Sequence, residues 1–396
     1  MTALRERWHS ASSAIGRRVD GLPKSARITG LLAFIAFLYV LPNKWFYEYL
    51  NIPGLWIPLY TTRNDMAAVL FYCAWIVLLS LGLNVVVGYA GLLDLGFFGF
   101  FAVGAYTVAL LTSPESKLIT QYNWLESPWP WLVTVPIAIA LALLSGVLLG
   151  APTLRLRGDY LAIVTLGFAE MIRIIAKNQD WIFNGDRGIP QVGHPPGKYA
   201  DGTAIFQFEF KPYYWLLLTV IIIAVFLIRN LANSRVGRAW VAIREDEDAA
   251  ELMGVPTFRF KLWAFAIGAA VGGLSGSLWA GQANFVNSST FSLENSILVL
   301  AAVLLGGAGS IGGAILGGFL VIYIPEWLRS VGDVFGLPET ATVFGNDFDV
   351  SPTSLRYFIF GILLIIVMIF RPQGLWPNRR RAAELKDRQK EVAVVE

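Results

Sequence analysis

The chain has 396 residues, of which 56% are hydrophobic and 15% charged, with a formal net charge of +3 and a mean hydropathy of +0.57. A soluble domain carries roughly 25% charged residues, so the composition excludes a water-soluble fold and describes an integral membrane protein in a lipid bilayer. The basic residues are scattered among loops flanking apolar runs, which excludes nucleic acid as a partner. One cysteine, Cys73, and two histidines, His9 and His194, leave no intramolecular disulfide, no cysteine metal cluster and no histidine pair at metal-ligand spacing.

In chain order, a basic segment (1–27) precedes a first apolar run, Ile28 to Leu41. Basic residues before a short apolar stretch also describe a signal peptide, but no small-x-small cleavage site follows Tyr39-Val40-Leu41-Pro42-Asn43-Lys44, and an uncleaved span is expected. Further runs lie at Met66 to Gly88, Leu92 to Leu111, Pro130 to Gly150, Tyr160 to Ala176, Tyr213 to Leu231, Leu262 to Gly281, Ser296 to Gly307, Gly313 to Leu328 and Leu355 to Phe370. The expected fold is therefore all-α and polytopic, with about ten transmembrane spans. The first and the Gly-bounded eighth run are short, to be extended by interfacial residues or partly re-entrant. With the N-terminus inside, Lys and Arg divide 21 to 8 between inner and outer segments, which fits cytoplasmic N- and C-termini. Trp45, Trp56, Trp124, Trp129, Trp131 and Trp215 are expected at the outer boundary, and Trp240, Trp263 and Trp376 at the inner. Glycines such as Gly96, Gly99 and Gly104, or Gly268, Gly272, Gly273 and Gly276, allow close approach of helix backbones. The charged tail, 377–396, stands apart from the 28–376 membrane domain.

Gly306-Gly307-Ala308-Gly309-Ser310-Ile311-Gly312-Gly313 lacks the Gly-Lys-Ser/Thr ending of a phosphate loop and reads as a tight turn. With no phosphate loop in the chain, any ATP hydrolysis belongs to a partner. Charged groups inside spans are costly. Glu170 and Arg173 lie three apart on one face of the fifth span, where an ion pair would orient helices or mark a transport path. Asn84, Asp94, Thr165, Ser275, Ser277, Gln282 and Asn284 are expected mostly as hydrogen-bond partners between helices, and otherwise as groups along the path.

Between the sixth and seventh runs, the segment 235–261 holds a soluble-looking helix, Arg244-Glu245-Asp246-Glu247-Asp248-Ala249-Ala250-Glu251-Leu252-Met253-Gly254. Acids crowd its first turn, where the helix dipole favours them, two alanines let another surface approach, and Gly254 supplies a helix end. The spacing Asp248-Ala249-Ala250-x-x-x-Gly254 resembles the cytoplasmic coupling loop of ABC importer permeases. The resemblance widens through Gly82 to Leu93, Gly104-Ala105-Tyr106, Leu154 to Gly167, Gly237-Arg238-Ala239-Trp240 and Phe370-Arg371-Pro372-Gln373-Gly374-Leu375, which run in the order found in LivM-type permeases of branched-chain amino acid importers. Where relatives often carry Thr-Gly-Gly-x-x-Gly-Ile, this chain has Phe183-Asn184-Gly185-Asp186-Arg187-Gly188-Ile189.

The resemblance implies a permease subunit in the inner membrane, with the 235–261 loop docked on an ATPase. It also implies four kinds of partner: a second permease of the LivH type, two ATP-binding subunits, a periplasmic amino-acid-binding protein and the bilayer. No cofactor is expected in this chain; ATP and magnesium would sit on the ATPase subunits. A urea or short-chain amide importer is the nearest rival. A gradient-driven carrier would bury more ion ligands and leave the 248–254 loop unexplained. A membrane-embedded enzyme would need a nucleophile, base or metal constellation that the sequence lacks.

Overall fold

The structure, a computed structural model, describes residues 24–43, 65–122, 124–154, 159–198, 204–335, 340–343, 346–349, 352–371 and 373–376. It divides into two compact units, 1–56 and 57–396. In the first unit, α1 (Lys24–Val40) is an apolar helix whose end is closed by the Asn43 side-chain amide donating to the Val40 carbonyl at 2.9 Å.

The second unit opens with α2 (Met66–Leu83), started by Asp65, whose carboxylate accepts the Ala67 N–H at 3.1 Å. α2 then widens into a π-helical turn, Asn84–Tyr89. The third apolar run was expected to be helical from Leu92, yet α3 spans Phe97–Thr112. Asp94 causes the delay: its Oδ1 accepts the Gly96 N–H at 2.9 Å and holds the preceding backbone in a turn. α4 (Trp131–Thr153), α5 (Asp159–Asn178) and α6 (Phe210–Asn233) follow. The polar connection is built from α7 (Arg235–Glu245) and α8 (Glu247–Leu252), and leads into α9 (Thr257–Ala283). α10 (Leu293–Gly306), α11 (Ile311–Phe335) and α12 (Pro352–Phe370) complete the helices. Two small antiparallel pairs accompany them. β1 (Ile189–Pro190) meets β2 (Phe285–Val286) with Ile189 opposite Val286, and β3 (Thr340–Val343) forms a hairpin with β4 (Asn346–Asp349).

α9 lies at the centre of the second unit, packed on α4, α3 and α2. Small residues make that possible: a Cβ on Gly104 would lie 2.1 Å from the Gly273 carbonyl oxygen, and one on Gly276 2.1 Å from that of Phe101. Around them Trp75, Phe101 and Trp279 pack ring against ring, with centroids 5.5 to 6.1 Å apart.

A helix occupies each of the ten apolar runs, and six of the described helices are long and apolar enough to cross a membrane. The apolar stretches of α1, α10 and α12 are shorter. α10, at 14 residues, reaches only about 21 Å against a hydrocarbon core of about 30 Å. Two tryptophans assigned to the membrane boundary are instead interior. Trp240 is 1% exposed and donates from Nε1 to the Phe260 carbonyl at 2.7 Å, and Trp131 is buried against α9 near Gly281. Trp124, Trp129, Trp263 and Trp376 are exposed; Trp45 and Trp56 lie outside the described residues.

Candidate functional site

The expected helix Arg244–Gly254 is two helices, because Asp246 adopts an extended backbone (φ −155°, ψ 112°). Its carboxylate accepts the Ala249 N–H at 2.9 Å, so Asp246 caps α8, while Arg244 and Glu245 close α7. Glu247 and Asp248 occupy the first turn of α8. The helix ends where Gly254 takes φ +83° and the Val255 N–H reaches back to the Ala250 carbonyl at 3.0 Å. A Cβ on Gly254 would meet nothing within 4 Å, so the left-handed backbone alone accounts for glycine there.

α8 is fixed on one side and open on the other. Glu247 Oε2 pairs with the buried Lys261 Nζ of α9 at 2.5 Å, and Ala250 is buried. Asp248, Ala249 and Glu251 are exposed, and Leu252 and Met253 are 89% and 84% exposed. Two large apolar side chains at a short helix's end, ringed by acids, form a surface suited to contact with another protein.

Arg244 carries this element into the bundle. Its Nη1 donates to the Gly88 carbonyl at 2.5 Å, within the π turn. Asn84, at the start of that turn, accepts the Gly309 N–H at 2.8 Å and donates to the Ser310 carbonyl at 3.4 Å. Gly309 (φ +84°) belongs to the tight turn between α10 and α11, as the glycine run implied. The packing admits no side chain at Gly88, where a Cβ would lie 2.0 Å from Asn84 Oδ1 and 2.4 Å from the Gly309 nitrogen. The segment after α12 folds against the same turn, with Leu375 and Trp376 N–H groups donating to the Leu305 and Gly306 carbonyls, each at 2.8 Å. Segments 82–93, 237–254, 306–313 and 370–375 thus meet at one end of the bundle. The sequence pointed to Asn84 as an intramembrane polar group and to Arg244 as part of the 235–261 loop, without joining them to each other, to Gly88 or to Gly309.

Other polar residues separate from it. Thr165 Oγ1 accepts the Leu95 N–H at 3.1 Å, joining α5 to the turn before α3. Ser277 was expected to bond between helices but donates to Leu274 of its own helix at 2.7 Å, and buried Ser275 has no hydrogen-bond partner among the described residues. Gln282 is buried near the end of α9, and Asn284 ends it with φ +54°. Glu170 and Arg173 do pair, with Arg173 Nε 2.9 Å from Glu170 Oε2, but both belong to α5 and both are partly exposed, so the pair joins no two helices.

At the opposite end, residues 188–198 are laid across the ends of α3 and α9. Ser113 Oγ donates to the Pro190 carbonyl at 2.6 Å, Thr112 Oγ1 accepts the Gly193 N–H at 2.8 Å, and Tyr213 OH donates to the Gly281 carbonyl at 2.8 Å. His194 Nδ1 lies 2.8 Å from both Tyr213 OH and that carbonyl. In the loop before it, Asn184 takes the left-handed region (φ +62°) and donates to the Gly188 carbonyl at 2.7 Å.

Residues 66–368 match the family described as branched-chain amino acid transport system / permease component. The chain belongs to this permease family. It is 38% identical over 329 residues to the high-affinity branched-chain amino acid transport system permease protein LivM of Escherichia coli K12, covering 78% of this chain and 70% of that protein. The corresponding LivM of Salmonella typhimurium is 38% identical over 79% of this chain and 70% of its own length. The probable LivM of Methanocaldococcus jannaschii is 26% identical, covering 76% of this permease and 90% of its relative. No solved structure matches.

Proposed function

We propose that this permease is one of two membrane subunits of an ATP-driven importer in the inner membrane, that it provides part of the pathway for branched-chain or other neutral amino acids, and that α8 is its dock for an ATPase subunit. The observation that carries the coupling reading is the continuity from the exposed Leu252–Met253 tip of α8, through Arg244, to the Gly88 carbonyl and the Asn84–Gly309 bond. A push on α8 reaches the broken end of α2 and the α10–α11 turn through groups already in hydrogen-bond contact. ATP and magnesium are held by the partner subunits, and a second permease of the LivH type and a periplasmic binding protein complete the importer. The substrate assignment is supported by the relatives, whose names specify branched-chain amino acid transport.

Reconstitution of the full complex in proteoliposomes, with ATP on the ATPase side and binding protein on the other, tests this directly. Labelled leucine should accumulate only with ATP and all subunits present. Uptake that follows a sodium or proton gradient without ATP would refute the importer reading, and ATP-dependent uptake of urea alone would replace the substrate. Orientation is tested with cysteines in a Cys73→Ser background: Glu115→Cys should react with an impermeant thiol reagent from the periplasmic side, and Asp248→Cys only from the cytoplasmic side.

A further inference from the structure

α5 differs from its neighbours. It is 20 residues long, yet it is not among the six helices apolar enough to cross a membrane by composition. Its inner side is well packed: Thr165 meets the turn before α3, Phe168 packs on Phe100 with centroids 5.4 Å apart, and Ala162 and Ala176 are buried. Its outer side is a stripe at helical spacing, Ile163, Gly167, Glu170, Met171 and Ile174. Ile163, Met171 and Ile174 are exposed, and a Cβ on Gly167 would meet nothing within 4 Å. In the middle of the stripe the Glu170–Arg173 ion pair presents 37% and 29% of its side-chain surface. One turn further, Lys177 pairs with Asp186 of the loop at 3.6 Å, so alternating charges run from the end of the bundle opposite α8 into the body of the helix.

Hydrocarbon is a poor neighbour for such a stripe, since a partly exposed ion pair at this depth keeps polar surface that lipid cannot solvate. The helix starts at Asp159, and at 1.5 Å per residue Glu170 and Arg173 stand roughly 16 and 21 Å along it. The pair is net neutral and dipolar, and so is an α-amino acid at neutral pH, with an ammonium and a carboxylate on adjoining atoms. The surrounding Ile163, Met171 and Ile174 offer apolar contact to an aliphatic side chain, and the bare backbone at Gly167 leaves room beside the charges.

Building on the neutral amino-acid reading above, we infer that this face of α5 lines the solute pathway and that the Glu170–Arg173 pair receives the zwitterion in transit, Arg173 donating to its carboxylate and Glu170 accepting from its ammonium group. Exchange of one ion pair for two leaves the net charge of the site unchanged, so the solute is neither stranded in the membrane nor held there by excess charge. A cationic or anionic amino acid would leave one partner uncompensated, so the same geometry favours neutral substrates.

The full complex in proteoliposomes tests this. Glu170→Gln and Arg173→Gln should each lower ATP-driven leucine uptake at least tenfold while the complex assembles and its ATPase activity stays within twofold. In the Cys73→Ser background, Gly167→Cys and Met171→Cys should react with a water-soluble thiol reagent, and leucine under turnover should slow the reaction. If the unmodified complex carries urea but no amino acid, both this inference and the function above fall. If it carries leucine while the two charge variants match it, the inference alone falls. The same holds if positions 167 and 171 react only with a bilayer-partitioning reagent, or cross-link to a helix of the second permease instead of reacting with the water-soluble one.

Discussion

The two ends of the bundle are tied by the same kind of bond, side chain to backbone, but to different effect. At the α8 end, Arg244 and Asn84 each reach across to a backbone that has left regular geometry, the π turn and the Gly309 turn. At the other end, Ser113, Thr112 and Tyr213 hold a loop and a helix end at three separate points, and the β1–β2 pair adds backbone bonds. The fastening at that end is spread along a loop, whereas Arg244 and Asn84 fasten two irregular turns beside an exposed apolar tip. On the proposed coupling reading, the α8 end transmits and the opposite end serves as a cap.

The joint at the α8 end is most sensitive at Gly88. A methyl group there collides with both Asn84 and the Gly309 backbone; overpacking of a tight core costs about 1–3 kcal/mol. Gly88→Ala should therefore reduce thermal stability in detergent and abolish ATP-coupled uptake, and wild-type uptake would deny the joint any role.

Arg244→Gln is milder. It removes a charge-assisted bond, of a kind contributing about 1.5–3 kcal/mol, and leaves the α8 surface intact. Uptake should fall about tenfold at unchanged ATPase-subunit binding, measured by pull-down alongside transport.

Smaller still is Glu247→Gln, which leaves buried Lys261 without its acid. Breaking a fully buried pair costs about 3–5 kcal/mol, and Glu247 is partly exposed, so about 1–2 kcal/mol is expected. Lys261→Met in the same chain should recover part of the loss, and a strictly additive cycle from denaturation midpoints would show that the two side chains do not interact.

Least of all, Ser113→Ala at the cap should cost about 1 kcal/mol of stability and leave the ratio of transport to ATP hydrolysis unchanged. A changed ratio would mean that the cap, too, transmits.

The helices were legible because long apolar runs have one economical solution in a bilayer, backbone bonding within the segment. The first-turn acids of α8 and its Gly254 stop were legible for a local reason: both are chemistry within a few residues. The break at Asp246 was not, since an acid that caps a second helix and an acid in the first turn of a continuous one look alike in sequence. Trp240 was misplaced because residue type does not tell an interfacial indole from a buried one, and its partner, the Phe260 carbonyl, lies 20 residues away. The π turn was invisible altogether. Asn84-Val85-Val86-Val87-Gly88-Tyr89 continues the apolar pattern of α2, and its side-chain partners lie beyond residue 300. The Glu170–Arg173 pairing followed from three-residue spacing, while its outward aspect needed knowledge of what packs on the other side of α5.

The π turn has an arithmetic of its own. Its Ala90 N–H bonds the Val85 carbonyl, five residues back, so the turn contains one residue more than an α turn would. Deleting one of the three valines would let the same segment close as ordinary α-helix, and because a π turn absorbs its extra residue by local widening, the flanking residues would stay nearly in phase. α2 would gain regularity and lose the widened turn that presents the Gly88 carbonyl to Arg244. The surplus residue is a local swelling that leaves the phase of the helix alone and turns a backbone group into a contact.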